Sequence, residues 1–88
     1  MNDPMSLGLA RSPQQLGQLI KSARVARGLS QSELAQRAGM HQPQVSTIER
    51  GHPGANLAGI FELMAVLDLE MTVRGRSKSS EADIADIF

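Results

Sequence analysis

The run SQSELAQRAGMHQPQVSTIERG, positions 30–51, carries Gln31, His41, Gln42, Gln44, Ser46 and Thr47, side chains that donate and accept hydrogen bonds without bearing a full charge. Such groups read the edges of bases. A glutamine amide donates and accepts at once and matches N7 and N6 of adenine together, while Ser and Thr reach phosphate oxygens or a thymine methyl. Between the polar residues stand Ala35, Gly39, Val45 and Ile48: a small residue where a second helix crosses, a flexible one for a turn, and two aliphatics to bury. The pattern predicts two short helices set across one another, with the polar residues on the outer face.

This is the spacing of a helix-turn-helix, which lays its second helix in the major groove of DNA with that helix's N-terminal residues nearest the bases. Gln42 stands at that end and is the first choice for a base-reading residue, with His41 beside it and Ser46 and Thr47 one turn on. Gln31 opens the first helix, where its backbone N–H and side-chain amide face the sugar-phosphate chain; Gln44 and Arg37 join it as backbone contacts. The competing reading of each is an ordinary solvated side chain. Arg24 and Glu49 read either as a solvated pair or as an Arg–carboxylate bridge tying the second helix of the motif to the helix before it, a structural role for Glu49 rather than a catalytic one.

Other chemistries are poorly served. The chain has no cysteine, so neither a disulfide framework nor a thiolate metal site is available. His41 and His52 lack the neighbouring carboxylates or thiols of a metal centre, no nucleophile has a base at hand, and there is no Gly-rich phosphate loop. The chain reads as a binding protein without a cofactor, not as an enzyme. No apolar run reaches the roughly 20 residues that span a bilayer, and MNDPMSLGLARSP lacks the basic start and long apolar stretch of a secretory signal. For a DNA binder this points to the bacterial cytoplasm, beside the nucleoid.

The formal net charge of 0 is unexpected for a nucleic-acid binder until it is divided along the chain. Residues 11–50 hold six basic residues, Arg11, Lys21, Arg24, Arg27, Arg37 and Arg50, against Glu33 and Glu49, a local +4; from position 77 on, Lys78 faces Glu81, Asp83 and Asp86, a local −2. The motif region is basic, as phosphate contact requires, although ordinary solvated charges give the same count.

The elements that must hold these residues follow from caps and periodicity. Residues 1–11 have no sustained pattern and read as a flexible arm. Ser12 then Pro13 begins a helix whose apolar stripe is Leu16, Leu19, Ile20, Ala23 and either Val25 or Ala26, ending near Arg27 before Gly28. Ser30 and Glu33 form a capping box, so a second helix spans Gln31 to about Ala38, ending at Gly39. His41 sits where a capping Ser or Thr is usual, and Pro43 is tolerated only within a first helical turn, so the third helix starts near Gln42 and stops before Gly51. Asn56 caps a fourth, whose apolar positions Leu57, Ile60, Phe61, Leu63, Met64 and Leu67 are expected to close the core.

Beyond Leu67 the period becomes two, with Leu69, Met71 and Val73 on one side, which predicts a strand over Glu70–Arg74 within residues 70–76. An isolated edge is an unpaired hydrogen-bonding template, so the simplest completion is the same strand of a second subunit; a frayed extension or pairing with the N-terminal arm is the alternative. A dimer also suits a domain of this size, which buries only about 60% of its unfolded surface. Residues 77–88 read as a flexible acidic tail. Its Ile84, Ile87 and Phe88 are either terminal disorder or a peptide that docks on a partner.

LSQSELAQRAGMHQPQVSTIERG, with Arg24 upstream, resembles the Cro/CI-type (Xre-like) helix-turn-helix family. SPQQLGQLIKSAR before it and NLAGIFELMAVLDLEMTV after it narrow the resemblance to the HipB antitoxins, over residues 12–76. The resemblance implies a mainly α, lambda-repressor-like domain of four or five helices (residues 12–69), with one C-terminal strand pairing across a homodimer and then a loose tail. It also implies a partner set: palindromic double-stranded operator DNA, for repression of the chain's own operon, and a HipA-like serine/threonine kinase toxin. Residues carried over are Gln31 for the backbone and His41, Gln42, Pro43 and Ser46 for the groove. Pro43 departs from the small or polar residue commoner there. Phe88 is similar to a terminal aromatic that touches the kinase. Two other readings fit the same motif: a stand-alone phage-type or metabolic repressor, and a protein-interaction module without DNA binding.

Overall fold

The computed structural model describes residues 8–76, whose regular structure is four helices: α1 (Pro13–Ala26), α2 (Gln31–Ala38), α3 (Gln42–Glu49) and α4 (Leu57–Val66). Three begin on a side-chain cap. Ser12 accepts the Gln15 N–H at 3.1 Å, with Pro13 in the first helical position. Ser30 accepts the Glu33 N–H at 3.0 Å while the Glu33 carboxylate accepts the Ser30 N–H at 2.9 Å, satisfying two orphan donors reciprocally. Asn56 accepts from Ala58 and Gly59. At α3 the cap runs backward: Gln44 Oε1 accepts the His41 N–H at 2.8 Å.

One buried cluster joins the helices. Ile20 and Ala23 of α1, Leu34 and Ala35 of α2, Val45 and Ile48 of α3, Leu63 of α4, and the flanking Leu29 and Leu67 form it. Ala35 is 2% exposed, and its small side chain keeps α2 and α3 close together. The stripe of α1 does not finish on Val25 or Ala26, both of which are exposed; the helical period carries it from Ala23 to Arg27, which is partly buried.

The fourth helix buries less than its composition suggests. Leu63, Met64 and Leu67 are buried and Ile60 partly so, but Leu57 and Phe61 are 60% and 48% exposed. They stand four residues apart on a second face of a helix that is apolar nearly all round, and packing against one side leaves that face outside. Beyond the C-cap Leu67, Asp68 turns the chain out of the helix with a left-handed φ of 57°, and Leu69 closes the turn by donating to the Met64 carbonyl at 2.8 Å.

After it, residues 70–76 are exposed and form no regular element; among the described residues there is no strand. A ladder needs a second edge, and none within the described chain lies against this one. Leu69 is partly buried against the core, whereas Met71 is 43% and Val73 94% exposed. Residues 1–7 of the expected arm and the whole tail, with Ile84, Ile87 and Phe88, lie outside the described residues. Among the described residues no helix is long and apolar enough to cross a membrane.

Candidate nucleic-acid interface

The turn between α2 and α3 occupies Gly39–His41. Gly39 adopts φ 70°, ψ 32°, a conformation that glycine enters without a β-carbon penalty, and Met40 donates to the Ala35 carbonyl at 2.9 Å. This reversal brings the first residues of the two helices, Gln31 and Gln42, side by side: Gln42 Nε2 donates to Gln31 Oε1 at 2.6 Å.

From there the bonding continues inward. Gln31 Nε2 donates to Glu49 Oε1 at 2.9 Å, and Glu49 in turn accepts Arg24 Nε on Oε2 at 2.6 Å and Arg24 Nη2 on Oε1 at 3.1 Å. Arg24 Nη1 donates to the Leu29 carbonyl at 2.8 Å. The side chains of Arg24 and Glu49 are 12% and 3% exposed. A carboxylate this dry is tolerated because three N–H groups and a geometrically matched fork compensate its lost hydration. The network runs from the α1–α2 turn, through the C-terminal end of α3, to the exposed amide at its N-terminal end.

His41, Gln42, Pro43 and Gln44 are exposed together at the head of α3, Ser46 and Thr47 are half-buried one turn on, and Val45 and Ile48 face the core. Arg37 is exposed in the last turn of α2. Several polar groups already have intramolecular duties. The side-chain oxygen of Gln44 caps α3, the Thr47 hydroxyl donates to the Pro43 carbonyl at 2.9 Å, and the side chain of Gln31 bridges Gln42 and Glu49. These bonds leave the Thr47 methyl, one N–H of the Gln31 amide, the Oε1 and one N–H of Gln42, and the NH2 of Gln44 for outside partners.

Two glycines seat α3: sequence reasoning passed over Gly17 and read Gly51 only as the stop of the helix. A β-carbon on buried Gly17 would stand 2.5 Å from the Glu49 carbonyl oxygen and 2.6 Å from that of Ile48, so α1 and α3 meet backbone to backbone. Gly51, with φ 75°, combines a left-handed conformation with a close approach to the backbone of Gln14. The available signal was positional: Gly17 lies three residues before Ile20 and seven before Arg24, on the face of α1 that turns inward.

Away from this surface, a groove of about 890 Å³ lies between residues 8–13, α1, the α3–α4 loop and residues 68–74; Leu9, Leu16, Ile60, Met64 and Met71 line it, and none of His41–Thr47 does. Among the described residues no group of three His, Cys, Asp or Glu is placed to hold a metal ion.

The helix-turn-helix family model matches residues 20–73. Antitoxin HipB of Escherichia coli O6:H1 is 35% identical over 71 residues, covering 81% of this chain and 76% of the relative. Among solved structures, one described as a HipB–O4 20mer complex gives a TM-score of 0.74 at 31% identity, covering 80% of this chain and 99% of that chain. A structure described as a HipA–HipB–O2–O3 complex gives the same TM-score, identity and coverages.

Proposed function

We propose that this chain, which belongs to the helix-turn-helix family and within it to the HipB antitoxins, is the DNA-binding antitoxin of a type II toxin–antitoxin pair. It represses its own operon in the bacterial cytoplasm and binds a HipA-like serine/threonine kinase. The observation that carries the DNA-reading role is the exposed Gln42 amide at the head of α3, held at 2.6 Å by Gln31 on an α3 that is itself anchored by Arg24 and Glu49. A preorganised amide at that end of a recognition helix is what direct readout of a base edge requires. His41, Pro43 and Ser46 extend the reading surface, with Thr47 entering through its methyl; Arg37 and the free N–H groups of Gln31 and Gln44 take the backbone.

The active unit is a homodimer. Residues 70–76 supply an edge with no partner in the described chain, and the groove beside them exposes Leu9 and Met71 in a domain too small to waste apolar surface. Pairing of Glu70–Arg74 with its counterpart in a second subunit covers both and presents two α3 helices to a palindromic site. The tail, with Ile84, Ile87 and Phe88, is assigned to the kinase partner.

Co-expression with a HipA-like kinase gene sought beside its own tests the pairing. The two proteins are expected to co-purify and, together, to repress a reporter driven by the operon's promoter. Repression without any co-purifying kinase makes the chain a stand-alone repressor; co-purification without promoter binding makes it an interaction module.

A further inference from the structure

We propose that Glu49, acting through Gln31, fixes which way round Gln42 presents its amide, and so sets adenine rather than guanine as the base that Gln42 reads. The inference rests on the DNA-reading role proposed above. The Glu49 carboxylate, bridged to Arg24 and 3% exposed, can only accept hydrogen bonds. The end of the Gln31 amide that faces it is therefore the NH2, at 2.9 Å. Gln31 Oε1 then points the other way, where only a donor can meet it, and Gln42 is held with Nε2 turned toward Gln31 at 2.6 Å.

What Gln42 has left is its Oε1 and a single N–H. An acceptor beside a donor matches N6–H and N7 of adenine, whereas guanine presents O6 and N7, two acceptors, one of which would oppose the Gln42 oxygen. Turned round, the amide would put its NH2 outermost and lose that discrimination. Nothing in the exposed position of Gln42 itself prevents the turn; the direction comes from a buried charge that touches no base. Glu49 is thus a positioning residue, Gln31 the link, and Arg24 the counter-charge.

The test is selection from a pool of randomised DNA duplexes by the full-length protein, followed by affinity measurements on the selected duplex. The Gln42-dependent position is the one whose preference disappears in Gln42→Ala. The wild type is expected to select adenine there and to bind the guanine-substituted duplex about tenfold more weakly or worse. Gln31→Leu, at a partly exposed helix start, keeps the Arg24–Glu49 bridge; it should weaken both duplexes but cut the adenine-over-guanine ratio to about threefold or less. Arg24→Lys keeps the carboxylate, so it should lower the melting temperature and leave the ratio unchanged. An unchanged ratio in Gln31→Leu, or guanine or a pyrimidine selected at the Gln42-dependent position, overturns the relay and leaves DNA reading intact. A pool that yields no preferred sequence overturns both.

Discussion

Gly17 on α1 lies so close to Glu49 at the end of α3 that a β-carbon on the glycine would stand 2.5 Å from the Glu49 carbonyl oxygen. Two helical turns further along the same face of α1, Arg24 grips the Glu49 side chain at 2.6 Å. The recognition helix is thus held at one residue by both its backbone and its carboxylate, and the polar network to Gln42 starts from that fixed point.

Adding a methyl at Gly17 is expected to be costly, because the opposing atoms are main chain and cannot swing aside. Gly17→Ala should lose about 1–3 kcal/mol or more in urea denaturation, in line with overpacking of a core. The same chemical change at Gly59, inside α4, meets its nearest neighbour at 3.6 Å. Gly59→Ala should therefore gain about 0.5–1 kcal/mol from helix propensity. Equal effects at the two positions would contradict the backbone-to-backbone contact of α1 and α3.

Removing one member of the Arg24–Glu49 pair strands the other. Arg24→Met leaves a carboxylate 3% exposed without its counter-charge and should cost about 3–5 kcal/mol. The double variant Arg24→Met/Glu49→Leu should recover most of that loss in thermal unfolding, since two apolar groups need no compensation. A double variant no more stable than Arg24→Met would show that the pair contributes more than the relief of a buried charge.

The capping box of α2 carries a pH signature. The Ser30 backbone N–H, then its hydroxyl, hold the Glu33 carboxyl below the ordinary glutamate range, with Arg37 helping. A folded-state value below the unfolded one means that this contribution is fully present above the unfolded pKa and is lost as pH falls through the folded pKa. Glu33→Gln should thus flatten stability against pH in the acid range and change little between neutral and mildly alkaline pH. A carboxyl titration by NMR should place Glu33 below the ordinary glutamate range, and Ser30→Ala should raise it.

Much of this is legible in the sequence, because the informative signals are local. Ser30 with Glu33, Ser12 with Pro13, and Asn56 each act within three residues, and the starts of the helices follow from them. The Arg24–Glu49 pair was legible only as one of two possibilities, since bridging 25 positions depends on how α1 and α3 cross. What the sequence hid is tertiary. Gln31 and Gln42 pair only because the Gly39 turn sets two helix starts together, and Leu57 and Phe61 look like core in a helix whose apolar residues cover more than one face. The strand read from the alternation of Leu69, Met71 and Val73 needs a second edge to exist at all.

That second edge makes the oligomeric state testable. Sedimentation equilibrium should give a dimer at micromolar concentration. Val73→Lys combined with Met71→Glu should shift it to monomer while the far-ultraviolet helical signal persists, because both residues are exposed in the single chain. A wild-type monomer at micromolar concentration would rule out the shared strand.

The most direct measurement is fluorescence anisotropy of the protein on the DNA upstream of its own gene and on an unrelated duplex, across a salt series, with Gln42→Ala alongside. The wild type should prefer the promoter, and its affinity should fall steeply with salt as phosphate contacts release counterions. Gln42→Ala should lose about 1–3 kcal/mol on the promoter alone, with the salt slope unchanged. A wild type that binds both duplexes equally, or a Gln42→Ala protein indistinguishable from it, would contradict base reading from the head of α3.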